Sequence, residues 1–469
     1  MLILLYCCIG AWALDQDGEG NYLIGSKSDW KTFCTMVSNG NTFNGNTVKL
    51  TSDIGTELDP ITTMVGRLNG YAGNGFEGTF DGCGHSIHVS ITGNDQIESP
   101  FRCIIGATIK NVKVTGSVSG GIHCSGLVGV ALSGTCTISN CEVAVSVTCN
   151  STHCGGIIGH GRSSNTTIKN CLFSGSISGP TTATGIFYGW GDGGTHNNVN
   201  CLSAGNYTGS SGVNLARGSG YSNTNCYRKT SGGSQGIDAS SMTATELVTA
   251  LQNNSPVEVW VQDPLTNQPM LKTFATAAYT VPSSGIGTFS AKAKFTVPDG
   301  LTAYYCQTYD EEKSTISVVA IDGVVPANTG VVLRGTAGET YTLTGTNSEA
   351  ATITDNALVA VTEATHVNQI DGQYTNFMMS GGMFVKIEAS SDANVKMPAN
   401  RAYLQILTSA LPTAGARSVV LDWDDDATGV QVVRDSRPAV DGYYNLAGQR
   451  VAHPTKGLYI VGGRKVVIK

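Results

Sequence analysis

His160, Arg162 and Lys169 fall within ten residues and carry what proton abstraction beside a carboxylate requires, a base together with cations that neutralise the substrate's charge. Such a set would serve a lyase acting on an acidic glycan. Hydrolysis of a glycosidic bond needs two carboxyl groups instead. Between residues 101 and 234 the acids are Glu142 and Asp192, so no Asp pair can surround His160 and that chemistry is excluded. His123-Cys124 and His153-Cys154 offer four nitrogen and sulfur donors, the number zinc takes. Neighbours on a strand face opposite sides, so the expectation is an outward His ladder, an inward Cys ladder and no metal or other cofactor. Tyr188 and Trp190 stand beside the irregular loop Gly191-Asp192-Gly193-Gly194. Aromatic faces stack on sugars, and loops of this kind are where a rigid scaffold binds. Tyr188, Trp190, Asp192, Arg162 and His160 are therefore the candidate ligand-binding residues, with no catalytic residue assigned.

These residues are positioned by a repeat. Ile109-Lys110-Asn111-Val112, Ile138-Ser139-Asn140-Cys141 and Ile168-Lys169-Asn170-Cys171 fall into register. Asn111, Asn140, Asn170, Asn200 and Asn225 form one column, and Val112, Cys141, Cys171, Cys201 and Cys226 the next. A second motif keeps the same interval, with His123-Cys124-Ser125-Gly126-Leu127-Val128-Gly129 returning as His153-Cys154-Gly155-Gly156-Ile157-Ile158-Gly159 and, loosely, as Thr184-Gly185-Ile186-Phe187-Tyr188-Gly189. A fixed interval of about thirty residues marks a unit that buries its apolar face only by stacking on its neighbours. Within each unit the apolar positions alternate, as at Val143, Val145 and Val147, and β-branched residues abound, which is a strand signal. Short strands with no room for a helix describe one coil of a right-handed parallel β-helix. Alternation breaks at the Asn column. Asn is the non-glycine residue that best tolerates a left-handed corner, and its amides can bond from coil to coil. Asn111, Asn140 and Asn170, with Cys141, Cys171 and Cys201, are thus read as structural ladders.

The 469 residues, 41% hydrophobic, 13% charged and with 59 glycines, fit a multidomain β-rich chain. The net charge of −7 gives no case for nucleic acid. The array itself is mildly basic, setting Glu142 and Asp192 against Arg102, Lys110, Lys113, Arg162, Lys169, Arg217, Arg228 and Lys229. Many of the 14 cysteines sit in stacked columns, where a ladder of thiols is as reasonable as bridges. Residues 1–14 read as a signal peptide, ending near Ala11-Trp12-Ala13, and nothing else approaches a membrane-spanning helix. Trp30, Phe33 and Val37 have helical spacing and should cover the first coil. Thr47 to Thr51 reads as the first strand. Thr243-Ala244-Thr245-Glu246 opens a capped helix that, with Trp260, should close the last coil.

Beyond residue 275 glycine thins and hydrophobic runs separated by turns suggest a β-sandwich over 275–424. An acidic linker over 425–442 and a C-terminal β domain over 443–469 follow. Phe76-Glu77-Gly78-Thr79-Phe80-Asp81-Gly82-Cys83-Gly84-His85, Gly126-Leu127-Val128-Gly129 and the Asn-Cys columns resemble the GLUG-motif β-helix proteins of bacterial cell surfaces, common in gut Bacteroidetes, over 20–274. Val325-Pro326-Ala327-Asn328 and Met397-Pro398-Ala399-Asn400 resemble a sandwich module of secreted Bacteroidetes proteins. The end, from Gly442-Tyr443-Tyr444 to Arg464-Lys465-Val466-Val467-Ile468-Lys469, is similar to the sorting domains read by type IX secretion. The resemblance implies a secreted, outer-surface, adhesin-like protein that binds glycan or matrix protein and meets the secretion machinery through its tail. A polysaccharide lyase and a structural stalk remain the alternatives.

Overall fold

The computed structural model describes residues 13–69, 72–93, 97–179, 184–208, 215–218, 220–230, 233–388, 395–412, 416–423, 443–445, 450–451, 456–461 and 464–468. Most of residues 1–14, read above as a signal peptide, and the run 425–442, read as a linker, lie outside these residues. The chain divides into a compact unit ending at Asp422 and a second beginning at Trp423.

The first unit opens with a parallel β-helix whose coils present three main faces. Face A stacks Tyr22–Ile24, Thr47–Leu50, Thr79–Asp81, Thr108–Lys110, the later part of Val128–Ser139, Ser164–Lys169, His196–Val199 and Tyr221–Thr224, each parallel to the next. Face B follows the Asn corner, running from Ser86–Thr92 through Lys113–Gly120 and Glu142–Cys149 to Ile237–Asp238. Face C stacks Phe101–Ile105, the early part of Val128–Ser139, Ile158–Arg162, Tyr188–Asp192 and Ala216–Gly218. The first strand is Tyr22–Ile24, not Thr47–Leu50. With three residues it is too short for alternation to reveal it.

The Asn corner is left-handed in every copy, with φ between 51° and 54° at Asn111, Asn140, Asn170, Asn200 and Asn225. Asn140 Nδ2 donates to Asn111 Oδ1 at 3.3 Å and Asn170 Nδ2 to Asn140 Oδ1 at 3.2 Å. Cys141, Cys171 and Cys201 follow the corner with their thiols free and fully buried. An L-residue other than Asn or Gly gives up about 1–2 kcal/mol in this conformation. Asn140→Ala is accordingly expected to lower the unfolding free energy by about that much, and Asn140→Gly by less. The urea midpoint of each variant checks this.

The end of the solenoid that opens the chain is filled by helix α1, Lys27–Ser38, capped by Ser26. Trp30, Phe33 and Val37 are fully buried among Phe43, Phe76, Phe80 and Phe101. Helix α2, Ala244–Gln252, carries the capping box between Thr243 and Glu246. Its position corrects the expectation of an end cap. Leu247, Val248, Leu251 and Trp260 pack on Leu172, Leu202 and Tyr227, the outward column of face B that directly follows the Cys ladder. That apolar column needs a lid on the flank, and α2 supplies it.

In the remainder of this unit, a three-stranded antiparallel sheet (Thr276–Thr280, Thr340–Gly345, Phe295–Thr296) faces a ten-stranded sheet. Tyr279, Phe289, Phe295, Leu301, Leu333 and Leu343 fill the layer between them, so this is a β-sandwich. It is tied to the solenoid's flank. Glu258 accepts from Asn347 N at 2.7 Å, and Asn347 Nδ2 donates to the Trp260 carbonyl at 2.7 Å. The second unit is a four-stranded antiparallel sheet of Arg450–Val451, Tyr443–Tyr444, Gly457–Val461 and Arg464–Ile468. Tyr443–Tyr444 pairs on one side with Arg450–Val451 and on the other with Gly457–Val461. Among the described residues no helix is long and apolar enough to cross a membrane.

Candidate ligand-binding site

The second repeat motif builds a site on the outside of face C. After Lys113–Gly120 and after Glu142–Cys149 the chain makes an excursion that crosses over face C of the following coil. His123 and His153 are the left-handed residues of two such excursions, with φ of 61° and 63°. The carbonyl of His123 lies on Gly159 and that of His153 on Gly189, where a Cβ would collide with backbone. Glycine is required at both places, which explains the last residue of the motif. Each crossing histidine then rests its ring on the residue after the glycine. His123 stacks on His160 with centroids 4.4 Å apart, and His153 lies 4.7 Å from the Trp190 ring. The two crossing rings are 5.2 Å apart, so three imidazoles and an indole form one cluster.

Charge surrounds this cluster. His160 Nε2 lies 3.3 Å from Asp192 Oδ1, and Arg162 stands opposite Asp192 in the register of the two strands. Arg217, from Ala216–Gly218, lies beside the Trp190 strand at an irregularity in register and acts electrostatically on His153. Its Nη1 atom is buried and meets no hydrogen-bond acceptor among the described residues. Burial is the main influence on the imidazoles. It holds His153 and His160 below their usual range, against the pull of Asp192, and it combines with the neighbouring positive groups to take His123 down to about 3. Near neutral pH the cluster is thus uncharged, and the cations on hand are guanidinium groups.

His160, Arg162, Trp190 and Asp192 are brought together. Tyr188 is not among them. It is fully buried in the core, its hydroxyl bonded to Thr166 Oγ1, which in turn lies 2.9 Å from His196 Nδ1. Its ring offers no face to a ligand, which corrects the expectation for that residue. Lys169 does not join His160 and Arg162 either. Strand Ser164–Lys169 carries it away by six residues, about 20 Å at ~3.3 Å per residue, so the lyase set of base and cations is not assembled. Glu142 is 3% exposed and engaged in the fold, its Oε2 paired with Lys113 at 2.9 Å and its Oε1 accepting from Ser174 at 2.9 Å.

Sequence reasoning missed His123, His153 and Arg217 as members of the site. For Arg217 the signal is faint. Leu215-Ala216-Arg217-Gly218 matches Phe187-Tyr188-Gly189-Trp190-Gly191 only if one residue is deleted, as the pairing Gly191 with Gly218 shows. A cleft of 590 Å³ lies elsewhere, between α2 and the sandwich. Its polar groups are committed internally. Lys292 pairs with Glu363, Lys294 donates to the carbonyls of Asn347 and Ser348, and the Gln252 side chain holds the backbone of Val259 and Trp260. It braces the fold.

No protein-family model and no curated protein matches the chain. A solved structure described as a "putative immunoglobulin A1 protease from Bacteroides ovatus" is 18% identical, over 55% of this chain and 94% of that one, with a TM-score of 0.41. At that distance the likeness carries no inference about activity.

Proposed function

We propose that this is an exported cell-surface protein of the adhesin type, which binds an anionic glycan on the outside of face C without turning it over. The observation that carries the reading is Arg217, whose buried Nη1 meets no acceptor among the described residues, on the strand next to that of the half-buried Trp190 and acting electrostatically on His153, whose ring lies on the indole. A buried guanidinium nitrogen without an acceptor is costly, and a ligand carboxylate or sulfate would complete it. The indole offers the apolar surface on which a sugar ring stacks, and Arg162 supplies a second positive group. No catalytic role is assigned to His160 in this reading. Its imidazole is neutral, stacked and braced by Asp192, which suits a wall of a binding site. The C-terminal unit, with its resemblance to sorting domains, would carry the chain to the outer surface.

The test is titration of the full chain with uronate-bearing and sulfated oligosaccharides. A charge-assisted hydrogen bond contributes about 1.5–3 kcal/mol, so Arg217→Ala is expected to weaken binding by about tenfold to a hundredfold. Trp190→Ala should weaken it by a comparable factor, and Lys169→Ala should leave it unchanged. Equal affinity in all three variants would place the ligand elsewhere.

A further inference from the structure

Three cysteines from two coils meet at one point beneath the histidine cluster. Cys124 belongs to the excursion after Lys113–Gly120. Cys149 ends Glu142–Cys149, and Cys154 begins Cys154–Gly155. Their Sγ atoms all lie within 4.8 Å of one another and all three residues are buried. Cys149 and Cys154 are joined as a disulfide, while Cys124 carries a free thiol. The carboxylate of Glu98, 1% exposed, bears on the same point, with Oε2 3.6 Å from Cys124 Sγ and 3.3 Å from Gly121 N. No other cysteines of the described residues converge in this way. Those of the Asn-Cys ladder run in a line up the solenoid, one per coil.

Three sulfurs and one carboxylate oxygen make a four-donor set of ligand types that bind zinc, and Cys149 and Cys154 have four residues between them, a spacing such ligand pairs use. Sulfur donors select a soft divalent ion over magnesium or calcium. We propose that, once the Cys149–Cys154 bond is reduced, Cys124, Cys149, Cys154 and Glu98 bind one zinc-class cation. A dithiol reductant supplies two electrons and two protons to the disulfide, giving two thiols and the oxidised reductant. Metal binding then releases the three thiol protons to solvent. The dication leaves the same net charge as a four-thiolate zinc centre. The ten other described cysteines, Cys124 included, are free thiols, so a reduced state is in keeping with the rest of the chain.

The site has a structural consequence. His123 and His153 immediately precede Cys124 and Cys154, so one ion would tie together the two excursions whose rings form the cluster above face C. This inference stands apart from the glycan reading, because neither the thiols nor Glu98 is asked to touch a ligand.

The experiment is anaerobic titration of the reduced full chain with Co(II), after the reductant has been removed and the thiols counted. The expected result is one equivalent bound, with a thiolate-to-cobalt charge-transfer band that Zn(II) abolishes. The band should be lost in Cys124→Ser and Cys154→Ser variants that keep the native circular dichroism, and retained in Cys83→Ser, an exposed cysteine outside the cluster. Glu98→Gln should keep the band but weaken affinity by about tenfold or more. Should a cysteine variant fail to fold, the wild-type chain and Glu98→Gln still decide. A reduced wild-type chain that takes up no cobalt, or a band that survives in both Cys124→Ser and Cys154→Ser, overturns the proposal.

Discussion

Trp30→Ala is expected to lower the stability of the solenoid by about 3–5 kcal/mol, the usual cost of truncating a large buried aromatic residue. Trp30 is fully buried and packs edge-on against Phe33, Phe80 and Phe101 at 5.8, 6.0 and 5.7 Å. Its indole nitrogen donates to the Thr63 carbonyl at 3.1 Å, so the substitution both opens a cavity and strands an acceptor. The effect is large because α1 is what keeps the first coils from presenting an open apolar edge. Trp30→Phe should recover much of the loss by refilling the space without the hydrogen bond. Urea unfolding of both variants checks this. A loss below about 1 kcal/mol for the alanine variant would mean that α1 is not what holds this end.

Acidification is expected to destabilise the protein well before its carboxylates protonate. An imidazole titrates near 6.5 in the unfolded chain, and in the fold His123 is held at about 3, first by burial and then by His160, His153 and Arg162. Between those values the unfolded chain binds a proton that the native one does not. Stability is therefore complete above about pH 6.5 and falls as the pH drops toward 3. The slope from His123 alone is about 1.4 kcal/mol per pH unit, or roughly 2 kcal/mol lost by pH 5. His153, His160 and His196 are shifted the same way and add to it, while Asp192 opposes the shift at each of the three. His123→Asn is the informative variant, because Asn tolerates the left-handed backbone at this position and does not titrate. It should reduce the loss between pH 7 and pH 5 by about 2 kcal/mol. An unchanged pH profile would mean that His123 is not a proton-excluding group in the fold.

How far the sequence reached depended on which physical constraint was at work. The Asn corner is a requirement of local backbone conformation, so it is written at every copy from Asn111 to Asn225 and reveals the period directly. The capping box at Thr243 and Glu246 is equally local and equally legible. Side-chain direction on face C was not. Alternation puts Tyr188 and Trp190 on one side, yet Tyr188 points into the core and Trp190 out to His153. The reason is the crossing excursion, which forces a break of phase at Gly189, as at Gly159 between Ile158 and His160. That break depends on a backbone contact between coils and leaves only a glycine in the sequence. Likewise His123 and Cys124 do face apart, but through a left-handed turn rather than a strand, and the histidines are covered rather than exposed. The meeting of Cys149 with Cys124 and Cys154 depends on how far one excursion reaches over the next, which residue spacing does not encode. Position along a strand was decisive for Lys169, which stands close to Arg162 in number but a full strand away in space.

The central claim is that face C retains an anionic glycan and does not cleave it. The most direct measurement is to incubate the full chain with an array of neutral, uronate-bearing and sulfated glycans, scoring retention and released products in the same wells, beside the Arg217→Ala variant. The account predicts retention confined to the anionic members, lost in the variant, with no shortened or unsaturated product. Released product, or retention that Arg217→Ala leaves intact, would contradict it.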